Sequence, residues 1–218
     1  LDITEESKLS SFPESLSTLI ELGWLKRYNY GFTIHNLIQE VILEIEGEKI
    51  HSCVNLISFL ADGLEKAFIT DKISGLPIIP FVQRIEDVFK KTHIAELGSL
   101  YCNVATIYED ALGDYQNSLN FALLGMEIHR KDSDEFKLSI AYNNLATTYR
   151  LLGDYKKALD YALLCMGIRE QLKETKAAYL GNTYQTISII YRRLKEVEKA
   201  IFYCFKAIEI RKKLSSKP

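Results

Sequence analysis

Apolar residues recur at intervals of three and four along residues 95–214, and this spacing predicts a series of amphipathic helices. The pattern itself repeats. Three predicted helices end at Tyr108, Tyr149 and Tyr191, which are 41 and 42 residues apart. Leu-Gly-Asp-Tyr follows in the first two copies, and the first copy has one extra residue between its Tyr and its Gly. A period of this length predicts stacked helical hairpins, because no single hairpin buries both of its faces.

Each copy contains the residues that a helical hairpin needs. A small residue in the first helix lets the second helix approach closely, and these residues are Ala105, Ala146 and Ser188. The tyrosine then fills the wedge between the two helices. The Gly supplies the positive φ that ends a helix, and the Asp caps the next one. The third copy has Leu-Lys-Glu-Val at this turn and lacks both residues.

The repeats resemble tetratricopeptide repeats over about residues 95–214. The stretch Asn-Asn-Leu-Ala-x-x-Tyr-x-x-Leu-Gly-Asp-Tyr-x-x-Ala-Leu at 143–159 is similar to the longer variety found in kinesin light chains and many bacterial proteins. The resemblance implies a solenoid that binds a protein or peptide along its first helices. The fold class predicted for the whole chain is all-α, a solenoid of helical hairpins preceded by a segment with one small β-hairpin.

The first half shows a different pattern. A helix is predicted from Phe12 to Gly23, followed by two short strands at residues 24–28 and 32–34 with a turn between them, and then a helix over residues 35–45. The stretch Phe-Thr-Ile-His-Asn-Leu-Ile-Gln-Glu at 32–40 resembles the winged-helix segment of STAND/NB-ARC-type NTPases. That resemblance implies a partial winged helix at 1–46, a helical connector at 47–94 and a solenoid at 95–218. The phosphate-binding GxxxxGK[ST] loop of such NTPases is absent from this sequence.

Charge is divided unevenly along the chain. Residues 1–135 carry 11 Lys and Arg against 22 Asp and Glu, whereas residues 136–218 carry 16 against 7. The acidic part argues against nucleic acid, which requires phosphate neutralisation. The basic part favours an acidic partner, self-association with a second copy, or the chain's own acidic half. An ordinary solvated helix surface is the remaining alternative.

The polar side chains of the predicted first helices form the candidate peptide-binding groove. Amides of Asn and Gln carry both a donor and an acceptor and can hold the backbone of an extended peptide, whereas Arg can clamp a carboxylate. Glu109 and Asp110 occupy the place that arginines hold in later copies, so the groove is expected to run from acidic to basic. The candidate residues are Asn103, Asn143, Asn144, Arg150, Asn182, Gln185, Arg192 and Arg193. The alternative is that these residues lie on solvated helix surfaces and bind no ligand.

No pattern for catalysis or metal binding is evident. The sequence has no GxSxG, HExxH or CxxC motif, and its histidines have no ligands at metal spacing, so neither an enzyme nor a cofactor is expected. Cys53, Cys102, Cys165 and Cys204 each lie in a helical apolar stripe and are interpreted as reduced, structural thiols of a cytoplasmic protein. No apolar run reaches the length of a membrane span.

Three functional hypotheses follow. The first is a binding module that senses a protein or peptide as the C-terminal part of a STAND-type signalling NTPase. The second is a stand-alone adaptor or peptide-binding regulator, and a continuous helix at residues 24–34 in place of a β-hairpin would favour it. The third is a nucleic-acid-binding regulator with a winged helix, against which the charge count argues.

Overall fold

The computed structural model describes residues 25–28, 31–34, 79, 82, 94–172 and 177–215. The chain divides into two compact units, Leu1–Glu96 and Leu97–Pro218. In the first unit, strands β1 (Leu25–Tyr28) and β2 (Gly31–Ile34) pair antiparallel, with Leu25 opposite Ile34. The helices predicted on either side of these strands lie outside the described residues. The same holds for the connector at 47–94, apart from Ile79, Val82 and Ile94.

The described part of the second unit consists of helices in series, and their bounds follow the predicted hairpins. Each first helix is followed by a short turn and a second helix, and consecutive helices from the first hairpin to the third pack against each other. The helices are α1 (Ala95–Ile107), α2 (Tyr115–Lys131), α3 (Glu135–Leu151), α4 (Tyr155–Gln171), α5 (Ala177–Arg193) and α6 (Val197–Ser215). A π-helix, Tyr108–Leu112, continues α1.

An aromatic stack recurs in every hairpin and explains the spacing of the tyrosines. The tyrosine that ends the first helix lies parallel to an aromatic ring on the second helix. Tyr149 stacks on Tyr161 with ring centroids 5.6 Å apart, and Tyr191 stacks on Tyr203 at 5.7 Å. The first hairpin has Phe121 in the same position. The predicted role of these tyrosines as wedges between paired helices is therefore confirmed, and each stack adds directional contact to its apolar burial.

The turns follow the predicted chemistry in the first two hairpins. Gly113 and Gly153 adopt φ values of 64° and 86°, the left-handed region that Gly enters without strain. The carboxylates of Asp114 and Asp154 each accept a backbone N–H three residues later and so cap the next helix. In the third hairpin Lys195 takes the same left-handed position with φ 63°. The turn is retained there at the cost of backbone strain.

The extra residue of the first copy is absorbed by the π-helix at Tyr108–Leu112. Its last turn is wider by one residue, and the N–H of Gly113 donates to the carbonyl of Tyr108. This geometry lets Tyr108 keep its stacking position while the Leu-Gly-Asp turn follows in register. The extra residue is thus accommodated locally, between Tyr108 and Gly113.

Small residues allow close helix contact, as the sequence predicted for Ala105 and Ala146, which are both fully buried. Two glycines also allow close helix contact in the first hairpin. A Cβ at Gly98 would lie 2.5 Å from the His129 ring, and one at Gly125 would lie 2.7 Å from the Cys102 Sγ. Both contacts are shorter than van der Waals distance. Helices α1 and α2 therefore approach as closely as they do because neither position carries a side chain.

Candidate functional site

The predicted groove residues all lie on the first helices of the three hairpins. Asn103 lies on α1, and Asn143, Asn144 and Arg150 lie on α3. The remaining four lie on α5, namely Asn182, Gln185, Arg192 and Arg193. The structure brings α1 next to α3 through a hydrogen bond and packs α3 against α5. These side chains therefore belong to neighbouring helices.

Asn144 is part of the contact between the first two hairpins. Its Nδ2 donates to the backbone carbonyl of Cys102 at 2.9 Å and to Thr106 Oγ1 at 3.4 Å. The side chain is half-buried. Its amide nitrogen is thus occupied by α1, and this fixes the direction of the whole amide group. The Asn144 side chain has a structural role that sequence alone did not reveal, and its carbonyl oxygen is held in one orientation.

Asn143 and Arg150 are half-buried residues on the same helix. Arg150 corresponds to Arg192 in the third hairpin and to Glu109 in the first, at repeat distances of 42 and 41 residues. The Glu109 carboxylate accepts a hydrogen bond from Thr148 Oγ1 at 3.2 Å, and Thr148 lies 3.0 Å from the buried Ser118 Oγ. Glu109 is therefore hydrogen-bonded at the interface between the first two hairpins. The matching positions on α3 and α5 are the arginines Arg150 and Arg192.

Asn182 and Gln185 are exposed on α5, and both contact Arg211 of α6. The Arg211 guanidinium donates to Asn182 Oδ1 at 3.4 Å and to Gln185 Oε1. Arg192 and Arg193 are exposed at the end of the same helix. The structure thus brings Asn182 and Gln185 together around a residue that sequence reasoning did not select.

A buried arginine, Arg169, connects the second and third hairpins and was missed by the sequence interpretation. It is only 4% exposed. Its guanidinium donates to Ser139 Oγ at 3.0 Å, to the Tyr179 carbonyl at 2.9 Å and to Thr183 Oγ1 at 2.9 Å. Burial lowers the pKa of Arg169, and the guanidinium is satisfied by these three acceptors. The sequence did contain one signal for this residue. Arg169 and Arg211 occupy the same position in two repeats, 42 residues apart, on the otherwise apolar side of the second helix.

His129 is the other buried titratable group at a hairpin contact. It is 1% exposed, its ring lies against Gly98, and its Nδ1 has no hydrogen-bond partner. Burial, and then the charge of Lys137, lower its pKa, while Asp132 and Asp134 partly oppose this. The neutral imidazole is the form that fits here. Among the described residues, no group of His, Cys, Asp and Glu is placed to hold a metal ion.

The described thiols are free. Cys102 and Cys165 are buried, and burial raises the pKa of the Cys102 thiol to about 12. Cys204 is exposed, so the expectation of a buried, structural thiol is wrong at this position. Cys53 lies outside the described residues. No helix in the described part of the chain is long and apolar enough to span a membrane.

Two solved structures with TM-scores above 0.5 agree with the helical architecture. BtubC (BKLC) from P. vanneervenii is similar in structure, with TM-score 0.63 and 16% identity, covering 83% of this chain and 71% of that protein. The apo form of RapI is similar with TM-score 0.63 and 18% identity, covering 96% and 68%. The TPR domain of Arabidopsis FLU has TM-score 0.49 and 16% identity, covering 56% and 98%. No curated protein matches in sequence.

The family is defined by sequence as well as by fold. The tetratricopeptide repeat model matches residues 96–171 and again residues 137–213. Together the two matches span the three hairpins and more than half of the chain, and the overlap covers the second hairpin, whose motif is the most complete. The stacked tyrosines occur at the same place in all three hairpins, and the Gly-Asp turns and the fully buried alanines Ala105 and Ala146 occur in the first two. The chain belongs to the tetratricopeptide repeat family.

Proposed function

We propose that this protein is a non-catalytic binding module that holds a protein or peptide ligand along its first helices, α1, α3 and α5. The observation that carries the proposal is the position of Asn144. Its Nδ2 is bound to the Cys102 carbonyl, so its Oδ1 is held in place before a ligand arrives. A peptide N–H can donate to such an oxygen with little loss of side-chain entropy. Helical repeats present the surface of their first helices to ligands in this manner.

Neighbouring side chains supply the rest of the proposed site. Asn143 lies beside Asn144 with a second amide, and Arg150 lies near the end of the same helix with a guanidinium suited to a carboxylate. The matching residue in the first hairpin is Glu109, and in the third it is Arg192. A ligand that is basic at the α1 end and acidic at the α5 end fits this order of charges.

The test uses peptides selected from a random library against the intact chain. Binding of a selected peptide is then measured by fluorescence anisotropy for the parent and for Asn143→Ala with Arg150→Ala. We expect affinity to fall roughly tenfold or more, because a charge-assisted and a neutral hydrogen bond are lost. Lys156→Ala, on the exposed side of α4, is the matched control. Equal binding by all three proteins would place the ligand elsewhere.

The wider context of the module is also part of the proposal. The antiparallel pairing of Leu25–Tyr28 with Gly31–Ile34 supports a winged-helix segment before the repeats, and hence the ligand-sensing part of a STAND-type signalling NTPase. The free thiols support a cytoplasmic location. The gene decides between this context and a stand-alone adaptor or regulator. A GxxxxGK[ST] loop encoded upstream of Leu1 supports the first, and an open reading frame without one supports the second.

A nucleic-acid-binding role for the hairpin segment is the remaining alternative. Lys26 and Arg27 lie on β1, yet residues 1–45 carry seven acidic and three basic side chains. A binding assay with duplex DNA at two salt concentrations tests it. Affinity that drops steeply as salt rises would support this role, because phosphate contacts release counterions.

A further inference from the structure

The last hairpin carries an apolar stripe on its outer side. Ile201, Phe205 and Ile208 lie on one face of α6 at helical spacing and are 51%, 67% and 40% exposed. Large side chains exposed to this extent, and next to each other, are unusual for a surface that only meets water. The stripe is therefore a candidate for contact with another molecule.

The second hairpin shows what covers the same stripe inside the stack. The residues 42 positions earlier are Leu159, Leu163 and Met166 on α4. These side chains are partly buried because they pack against the core that Ile187 and Ile190 of α5 help to form. The covering element is thus a single amphipathic helix laid along the hairpin. The α6 stripe has the residue type and spacing to receive a helix in the same way.

An arginine lies beside the stripe at the same repeat position in both hairpins. Arg169, at the covered interface, donates to Tyr179 and Thr183 of the covering helix α5. Its equivalent on the last hairpin is Arg211, which is exposed and donates to Asn182 and Gln185 within its own hairpin. The guanidinium of Arg211 is therefore positioned where a covering helix would present an acceptor. A carboxylate at that point would make the strongest bond.

The surrounding charge selects the partner. Residues 177–215 carry eight Lys and Arg and three Asp and Glu, a net charge of +5. Two copies meeting through this face would bring like charges together, which disfavours a symmetric dimer. An acidic helix would instead be attracted to it.

We propose that the outer face of α5 and α6 binds an amphipathic α-helix of a partner protein, with an apolar stripe against Ile201, Phe205 and Ile208 and an acidic flank against Arg211. This docking surface adjoins the peptide-binding surface proposed above at α5, where Arg211 contacts Asn182 and Gln185, but its apolar stripe lies on α6. The two can fail independently, because Phe205 lies on α6 and Asn143 lies on α3.

Two synthetic peptides test the proposal. Both have the α5 sequence, residues 177–193, which covers a hairpin inside the stack. In one, the exposed residues Asn182, Gln185, Arg192 and Arg193 are replaced by Glu, and in the other by Lys. We expect the intact chain to bind the Glu peptide roughly tenfold or more tighter than the Lys peptide, with an affinity that falls as salt rises.

Substitutions in the chain locate the binding. Phe205→Asp places a charge in the stripe and is expected to abolish binding of the Glu peptide, and Arg211→Met is expected to weaken it severalfold. Leu164→Asp is the matched control, since Leu164 is an exposed apolar residue on α4 outside the stripe. Circular dichroism checks that each variant keeps the helix content of the parent.

Four results would overturn the proposal. Equal binding of the Glu and Lys peptides would mean that the face binds apolar helices without selecting for acidic residues. An equal loss in Leu164→Asp, or the absence of binding to the parent while it sediments as a monomer, would mean that the stripe is not a docking site. If the parent sediments as a dimer and Phe205→Asp as a monomer, a second copy is the occupant instead.

Discussion

The side-chain amide of Asn144 donates to the backbone carbonyl of Cys102 across 2.9 Å and so joins the second hairpin to the first. The same carbonyl accepts from Thr106 Oγ1 at 3.1 Å, and Thr106 is the second contact of Asn144. One asparagine thus holds two helices in register from the side on which ligands are proposed to bind. Stability and binding are linked at this residue, and a variant here affects both.

Asn144→Ala is expected to lower the free energy of unfolding by about 1 kcal/mol, because a half-buried hydrogen bond between hairpins is lost. Urea unfolding followed by circular dichroism measures the change. Asn143→Ala is the matched control on the adjacent position and is expected to change stability by no more than about 0.5 kcal/mol. Equal losses in the two variants would show that the bond to Cys102 contributes nothing specific.

Arg169→Met is expected to destabilise the protein by about 2 kcal/mol or more. The change removes a buried guanidinium and leaves the acceptors on Ser139, Tyr179 and Thr183 without their donor. Arg211→Met is the control, since it makes the same chemical change at the equivalent exposed position. Thermal unfolding compares the two. A similar midpoint for both variants would contradict the idea that burial between hairpins makes Arg169 important.

Sequence predicted the hairpins well, because their determinants are local. Helical spacing, the Gly-Asp turn and the tyrosine at the end of each first helix are all contained within one copy. The stacked pair Tyr149–Tyr161 could thus be placed from pattern alone. The π-helix was visible only as an extra residue after Tyr108, and a one-residue insertion does not say where the backbone widens.

Contacts between copies were less predictable, since they depend on how neighbouring hairpins pack. Asn144 looked like a free groove residue, but its amide reaches back 42 residues to Cys102. Arg169 was not singled out from the sequence, although the next hairpin buries it. The exposure of Cys204 follows from the same cause, because α6 is the last described helix. The position of a hairpin in the stack therefore determines whether these side chains are buried or exposed.

Lys195→Gly is expected to stabilise the protein by about 1 kcal/mol. Lys195 has φ 63°, and the left-handed region is costly for any residue that has a Cβ. The first two hairpins have Gly at this position, so the turn geometry is known to accept it. Chemical denaturation measures the gain. Lys195→Ala is the control, because it removes the charge but keeps the Cβ, and a gain in that variant would assign the effect to charge.

The buried imidazole of His129 is expected to make stability depend on pH. Its pKa in the folded protein is lowered by burial, whereas in the unfolded chain it lies near the usual value of about 6.5. Between these two values the unfolded chain binds more protons than the folded protein, so stability must rise with pH. The stabilising contribution of neutral His129 is fully present above pH ~6.5 and is lost as pH falls towards its folded pKa. The free energy of unfolding then changes by no more than about 1.4 kcal/mol per pH unit.

Urea unfolding from pH 7.5 down to about pH 5.5 in the parent and in His129→Gln isolates this contribution. The variant has no group that titrates there, so the difference in unfolding free energy between the two proteins should shrink as pH falls. Subtracting the variant also removes the effect of the other histidines and of the surface carboxylates, which both proteins share. A difference that stays constant over this range would mean that His129 is protonated equally in both states. Burial would then not be what sets the protonation state of this imidazole.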